Sequence, residues 1–443
     1  MLTAWALLAG VFCFLPPERK TVRLPNAFYI WQRDWTDGVS QAVERAGEST
    51  DAFLVLAAEM KGGEGGTRLA ARMNPSWESL EKSQKPVIPV LRFDAKSAAN
   101  VVSSQMTETV RRCGELVRGI AAEAAINNLT LSEFQLDYDC PTSKLADYRS
   151  FLMALKTECP DWAFSITVLP SWMESPAFAG LIRETTAYVL QVHSLDKPRT
   201  VQDPIILCDT KRIPGYLRRA DQLGHPYYLA LPTYGYDVFF DAKGRFQGLS
   251  AELESVVSKP GTTVKRVMID AEEMAGVIRW LRREPPLHCR GVLWFRLPVD
   301  SDRLNWSWPA LAAVMDGRNP RVAFVAETRN PQPNLYEIWV RNTGEQNVAG
   351  NIRFSISAIA GNVVAYDVLG DFLEREPAGE FTGPAPRCGE ETLVAWYRLE
   401  PDGNPENVYR CRFRGGGSMR RLYPAFIAGL MVFWVVPIYA CGP

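Results

Sequence analysis

The 443-residue chain has no pair of cysteines spaced C-x-x-C and only three histidines, His193, His225 and His288. Those absences exclude a zinc ribbon, a thioredoxin-type redox pair and a histidine-rich metal centre, because each needs clustered ligands. Charge of one sign is missing as well: 49 Lys+Arg stand against 50 Asp+Glu, a net charge of −1. Without a basic field to attract phosphate backbones, nucleic acid is not an expected partner. No Lys-Ser/Thr follows the glycines at Gly62, Gly63, Gly65 and Gly66, so this stretch is not a phosphate loop and reads as a mobile loop at a rim. The nine cysteines (Cys13, Cys113, Cys140, Cys159, Cys208, Cys289, Cys388, Cys411 and Cys441) are odd in number, and sequence assigns them no pairing. No cofactor is expected.

What is present is the composition of an ordinary folded protein, 47% hydrophobic and 22% charged. Aromatic residues make up 11%, including 13 Trp, and flat indole faces in a near-neutral chain suit sugar rings as well as cores. Residues 1–15 form an uncharged apolar run of signal-peptide length, followed by Pro16-Pro17, so residues 1–21 read as an export signal or a short anchor. At the other end, the glycine-rich linker and apolar tail of 415–443 contain a 19-residue uncharged stretch from Leu422 to Ala440, long enough to cross a bilayer. A buried terminal element fits that stretch too. Arg420-Arg421 before it would hold the main body in the cytoplasm by the positive-inside rule, which conflicts with export.

Between the ends, β-rich runs alternate with helical periodicity. Strands are predicted at 27–35, 52–60, 87–94, 132–139, 163–170, 187–194, 226–235 and 291–297, with amphipathic helices at 104–126, 143–158, 212–223 and 271–284. Eight near-continuous apolar strands predict a (β/α)8 barrel over 22–319, whose active face is built from strand ends. From 320 to 414 the pattern becomes strands with turn signals and no long helix, as in a small β-sandwich. Within it RNTGEQNVAGN (341–351) reads as a hairpin.

The run Gln135-Leu136-Asp137-Tyr138-Asp139 carries the sharpest chemical signal. Strand alternation puts Glu133, Gln135, Asp137 and Asp139 on one face. Carboxylates crowded in a barrel mouth raise one another's pKa, so one can keep a proton for a leaving group. The alternative is structural: Asp139 as a helix cap near Thr142, and Asp137 paired with Arg92 or Arg296. Further candidates at strand ends are Asp34, Glu59, Asp94 and His193, with Trp31, Trp172, Trp294 and Tyr234 as stacking platforms. Asp270 reads as a helix N-cap.

QLDYD resembles the DLDWE strand end of the chitinase-like family 18 glycoside hydrolases. PTYG (232–235) followed by Phe239 resembles their PTYGRxF stretch, and GVLWFRL (291–297) their barrel-closing strand with a sugar-stacking Trp. Residues 22–310 also resemble an uncharacterised bacterial domain-of-unknown-function family of secreted or membrane-anchored barrels. The resemblance implies a glycoside hydrolase acting on an extracytoplasmic polysaccharide, with Asp139 as general acid, Asp137 tuning it and Trp294 as the sugar floor. The strand ends themselves add Tyr234, Gln135, His193, Arg296, Asp34 and Arg92 as substrate contacts, with Asp34, Glu59 or Asp94 as a candidate second carboxylate. Departures are Asp139 for the family's Glu, Tyr236 for the Arg after PTYG, Leu91-Arg92-Phe93-Asp94 in place of Ser-Gly-Gly, and Gln191-Val192-His193 in place of the Tyr-Asp pair. N-acetylhexosamine specificity therefore does not carry over. The rival reading is a catalytically silent barrel that binds envelope glycan or a protein.

Overall fold

A computed structural model describes residues 23–63, 66–94, 105–194, 197–251, 261–358, 363–375, 380–400 and 409–412. The apolar run at 1–15, the GGGS linker at 415–418 and the tail at 422–440 lie outside them. Among the described residues no helix is long and apolar enough to cross a membrane.

The barrel opens with β1 (Asn26–Ile30) and β2 (Ala52–Gly63); β2 turns into an antiparallel partner, β3 (Gly66–Arg72). It continues through β4 (Val87–Phe93), β5 (Glu133–Tyr138), β6 (Ala163–Val168), β7 (Tyr188–Gln191) and β8 (Tyr227–Pro232). An antiparallel insertion, β9 (Gly235–Phe240), β10 (Phe246–Ser250) and β11 (Thr263–Met268), follows β8 before the closing strand β12 (Cys289–Phe295). β1 pairs in parallel with both β2 and β12, so the eight parallel strands β1, β2, β4–β8 and β12 form a closed ring. Seven match the predicted spans to within three residues at either end, and β1 stops at Ile30, five residues before its predicted end. The fold is a (β/α)8 barrel.

Helices Met106–Ile126, Leu145–Glu158, Ile213–Gln222 and Ala271–Arg283 occupy the predicted crossovers. Their apolar faces bury against the outward residues of the strands, including Phe28, Phe53, Phe134, Phe164, Tyr188 and Trp294. The inward residues form a separate, smaller interior of Ala27, Tyr29, Leu54, Val90, Val189, Ala230 and Leu293. Tyr29 donates to Gln135 Oε1 at 2.6 Å, and Gln135 donates to Ser165 Oγ at 3.4 Å, so this interior is threaded by a polar chain across β1, β5 and β6. As read from sequence, Asp270 caps its helix, accepting from the N–H groups of Glu272 and Glu273.

Two four-stranded antiparallel sheets follow: β13 (Phe324–Gln332), β14 (Leu335–Asn342), β19 (Glu391–Leu399) and β16 (Val363–Val368) in one, and β17 (Leu373–Arg375), β18 (Glu380–Pro384), β15 (Asn351–Ala358) and β20 (Tyr409–Arg412) in the other. They share a core of Phe324, Ile338, Val340, Phe354, Phe381 and Val394, a small β-sandwich. The hairpin expected at 341–351 is instead a crossover between the sheets. Asn342 directs it, donating to the carbonyls of Gln346 and Pro386 and accepting from the Gly344 N–H. The tight hairpin is β13–β14, with Asn334 at positive φ. The glycines at 62, 63 and 66 also differ from expectation: they belong to β2 and β3, with Gly63 opposite Gly66, while Gly65 lies outside the described residues.

At the seam that closes the ring, a Cβ on Gly291 would stand 2.5 Å from the Pro25 carbonyl oxygen, where the Val292 N–H bonds at 2.9 Å. Backbone cannot yield there without opening β1 from β12. Gly291→Ala should destabilise the protein by about 1–3 kcal/mol, as overpacking does. Urea denaturation checks this, and an unchanged midpoint would show that the seam tolerates the methyl group.

Candidate functional site

In a closed barrel each strand points one row of side chains inward, and the last of each row faces the mouth. Trp31 just past β1, Arg92 on β4, Asp137 on β5, Thr167 on β6, Gln191 on β7 and Phe295 on β12 are those residues. They line a cavity of about 320 Å³ with Tyr29, Asp139, His193, Tyr234, Tyr236 and Leu249. Tyr236 and Leu249 come from the insertion, which walls one side. Asp237 and Arg266 hold that insertion together through two hydrogen bonds of 2.8 Å.

Asp137 sits below the lip, its side chain 17% exposed. It accepts from Thr167 Oγ1 at 2.8 Å, and the Arg92 Nε lies 3.9 Å away. Burial, then the charge of Asp139, pushes its carboxyl up to about 6, against the opposing pull of Thr167 and Arg92. Asp139 follows the end of β5 and is exposed; partial desolvation raises its carboxyl and Arg92 lowers it. Asp139 is the more exposed of the two, so its charge costs less to form than that of the more deeply placed Asp137. The alternative of Asp139 as a cap fails, since neither the turn Thr142–Lys144 nor the helix after it has a side-chain cap. Arg92 spans the lip: it lies 3.6 Å from Glu59 and 5.7 Å from the centre of the Trp31 ring.

His193 is buried, with its ring stacked on Phe295 and its Nδ1 3.3 Å from the Tyr234 hydroxyl. Burial pushes its pKa down to about 3. It is therefore neutral at ordinary pH and holds Tyr234 rather than supplying protons. Tyr236 in turn donates to the Tyr234 hydroxyl at 3.5 Å.

Of the residues singled out from sequence, the cavity brings together Asp137, Asp139, Arg92, His193, Tyr234 and Trp31. Arg296 lines its neighbouring lobe and is held by Asp302 at 3.0 Å. Gln135 lies beneath, bonded to Tyr29. Glu59 is tied to Arg33 at 2.9 Å, and Asp94 accepts from the Gly62 N–H.

Three expectations are corrected. Trp294 is fully buried on the outward face of β12, donating to Asn26 Oδ1 and packing on Trp306; the inward neighbour Phe295 takes the place expected for it. Trp172 is buried among Tyr148 and the outer core. Asp34 lies exposed on a bend four residues past the end of β1, away from the cavity lining. Tyr29, Thr167, Leu249 and Phe295 were not singled out from sequence, and Tyr236 appeared there only as a departure from the resembled family. Counting alternation along GVLWFRL and AFSITV would have found Phe295 and Thr167; nothing in the sequence marked the insertion.

Residues 83–300 match the family model described as Domain of unknown function (DUF3142). No curated protein matches the chain. Among solved structures it is similar to the spore cortex-lytic enzyme SleL of Bacillus megaterium, at 13% identity over 69% of this chain and 76% of that one, with a TM-score of 0.49. It is also similar to a chitinase of Chromobacterium violaceum (13% identity, 66% and 98% of the chains, TM-score 0.44). A third is the GH18 chitinase ChiB of Flavobacterium johnsoniae (10%, 67% and 94%, TM-score 0.42). At these identities the likeness specifies no catalytic residue.

A carboxyl whose folded pKa is raised binds its proton more tightly folded than unfolded, so stability falls as pH climbs from about 4 to 6 and the loss is complete above that. Asp137→Asn removes the charge and keeps an acceptor for Thr167. The variant should be more stable than the wild type by about 1–3 kcal/mol at pH 7.5, with the gap closing near pH 4. Urea unfolding at both pH values measures it; a wild type as stable as the variant at pH 7.5 would contradict the burial of this charge.

Proposed function

With residues 83–300 a DUF3142 domain within a (β/α)8 barrel, we propose that the protein is a glycoside hydrolase whose acid is the Asp137–Asp139 pair. One observation carries the reading: Asp137, the last inward residue of β5, has its carboxyl pushed up to about 6 beside a second carboxyl at an aromatic-lined mouth. The pair titrates as a unit, and burial together with the charge of Asp139 lets Asp137 hold its proton up to about pH 6. Asp137 is the donor to the glycosidic oxygen. Asp139, whose charge costs less to form, helps keep Asp137 protonated and faces the positive charge that develops on the sugar ring. This exchanges the roles expected from the sequence resemblance.

Trp31 and Phe295, edge to face with centroids 5.0 Å apart, give the mouth an apolar aromatic wall against which a sugar can pack, and Tyr234 is a hydroxyl aimed by His193. On this reading the polysaccharide is extracytoplasmic, in keeping with the apolar run at residues 1–15. A second reading, a barrel that binds glycan without cleaving it, is favoured by Arg92, which stands against both Asp137 and Glu59 and would draw the proton off the acid.

Reducing-end release by the full chain from a polysaccharide panel tests the choice. Asp137→Asn and Asp139→Asn should each lower kcat by about 10²–10⁴-fold while retaining binding. The wild-type rate should fall as pH rises through about 6. Removing the charge at 139 should move the Asp137 titration, followed by carboxyl-carbon NMR, to lower pH. Binding without cleavage across the panel would leave the silent barrel, and a titration unmoved in Asp139→Asn would break the pair.

A further inference from the structure

The mouth has a second lobe that the acid chemistry does not use. It measures about 300 Å³ and shares Trp31, Arg92, Tyr234, Tyr236, Leu249 and Phe295 with the first lobe, so the two are continuous. Its remaining wall is Arg33, Arg296 and residues 250–251 of the insertion. Three guanidiniums therefore face one small space, and among the described residues its lining holds no carboxylate. The first lobe is the opposite, with two aspartates and Arg92 alone.

The arginines are positioned rather than loose. Glu59 stands behind the lobe and bonds Arg33 at 2.9 Å, with Arg92 at 3.6 Å, while Asp302 fixes Arg296. Carboxylates placed behind a guanidinium orient its outer N–H groups, and guanidinium forks match planar oxyanions in two-bond contacts. Arg92 lies over the Trp31 indole, so a carboxylate on a sugar packed beside that ring meets a cation. A neutral sugar needs none of this.

We propose that the second lobe is a subsite for a sugar bearing a carboxylate, and that the substrate class of this barrel is an acidic polysaccharide. The inference rests on the hydrolase reading only for which bond is cut; the subsite itself needs only binding. The carboxylate can be a uronate on the ring or an acid on an ether side chain, since both present the same planar oxyanion to the arginines. Arg33 lines the second lobe and not the one that holds Asp137, so it is a specificity residue and not part of the acid machinery.

Binding to the full chain is measured by calorimetry with oligogalacturonate and with peptide-free glycan strands of peptidoglycan, each beside its carboxyl-reduced form. At least one acidic probe should bind tenfold or more tighter than its reduced partner. Arg33→Gln should abolish most of that preference and leave the affinity for the reduced form unchanged; Arg33→Lys should restore part of it. Which acidic probe shows the preference distinguishes the ring acid from the side-chain acid. Equal binding of both acidic probes and their reduced forms, or an Arg33→Gln loss that is the same for both, overturns the proposal. Selective binding without cleavage would sustain the subsite while ending the hydrolase reading, and cleavage without charge preference would do the reverse.

Discussion

Closure of eight parallel strands into a ring fixes everything else here, because it leaves each strand one inward row and one outward row with no freedom to exchange them. A residue's parity decides whether it meets helices or cavity. Phe134, Leu136 and Tyr138 of β5 bury against helices, while Gln135 and Asp137 turn inward. The same rule separates Trp294 from Phe295 on β12, two aromatic neighbours with opposite fates. The chemistry of the mouth is thus a list of the last inward residues, assembled from strands distant in sequence by more than 200 positions.

Below that layer the interior is small and partly polar, and its polarity is satisfied pairwise: Tyr29 with Gln135, Gln135 with Ser165, Thr167 with Asp137. A buried carboxyl costs stability unless something accepts or donates to it. Thr167 supplies one bond to Asp137, and Arg92 at 3.9 Å supplies incomplete compensation, which is why the proton is retained rather than lost. A closer arginine would hold Asp137 ionised and would remove the feature on which acid chemistry depends. The spacing of Arg92 is therefore as consequential as the aspartates themselves.

Sequence made the barrel legible because βα alternation leaves a periodic record, and a strand covered on both faces reads as an apolar run. Asp137, Asp139, Arg92, His193 and Tyr234 were recoverable because they stand at the ends of such runs. Trp294 misled because a short apolar run does not announce its parity, and the bulkier ring drew attention from the inward Phe295. Asp34 misled because the polar sequence after Ile30 continues the strand composition while the backbone bends away. Tyr236 stood out only as a departure after PTYG, and the insertion that carries it and Leu249 was not legible, since β11 lacks the apolar run of a barrel strand: three of its six residues are Lys, Arg and Thr. Arg33 was invisible for a different reason: its place follows from Glu59, a partner 26 residues away.

Asp139 lies outside Asp137 on the same strand face, and the two differ in depth. Asp139 falls just past the end of β5, exposed, so its charge costs less to form than that of Asp137 even though desolvation raises its carboxyl too. Asp137, one inward position deeper, owes its raised carboxyl first to its own burial. On the proposed hydrolase reading the glycosidic oxygen must then reach below the lip, to the level of Thr167 and Gln191, where the walls are Trp31, Tyr234 and Phe295. A deeper acid favours a chain end or a kinked chain over a straight polymer lying across the mouth, because only those can lower one linkage to the depth of Asp137.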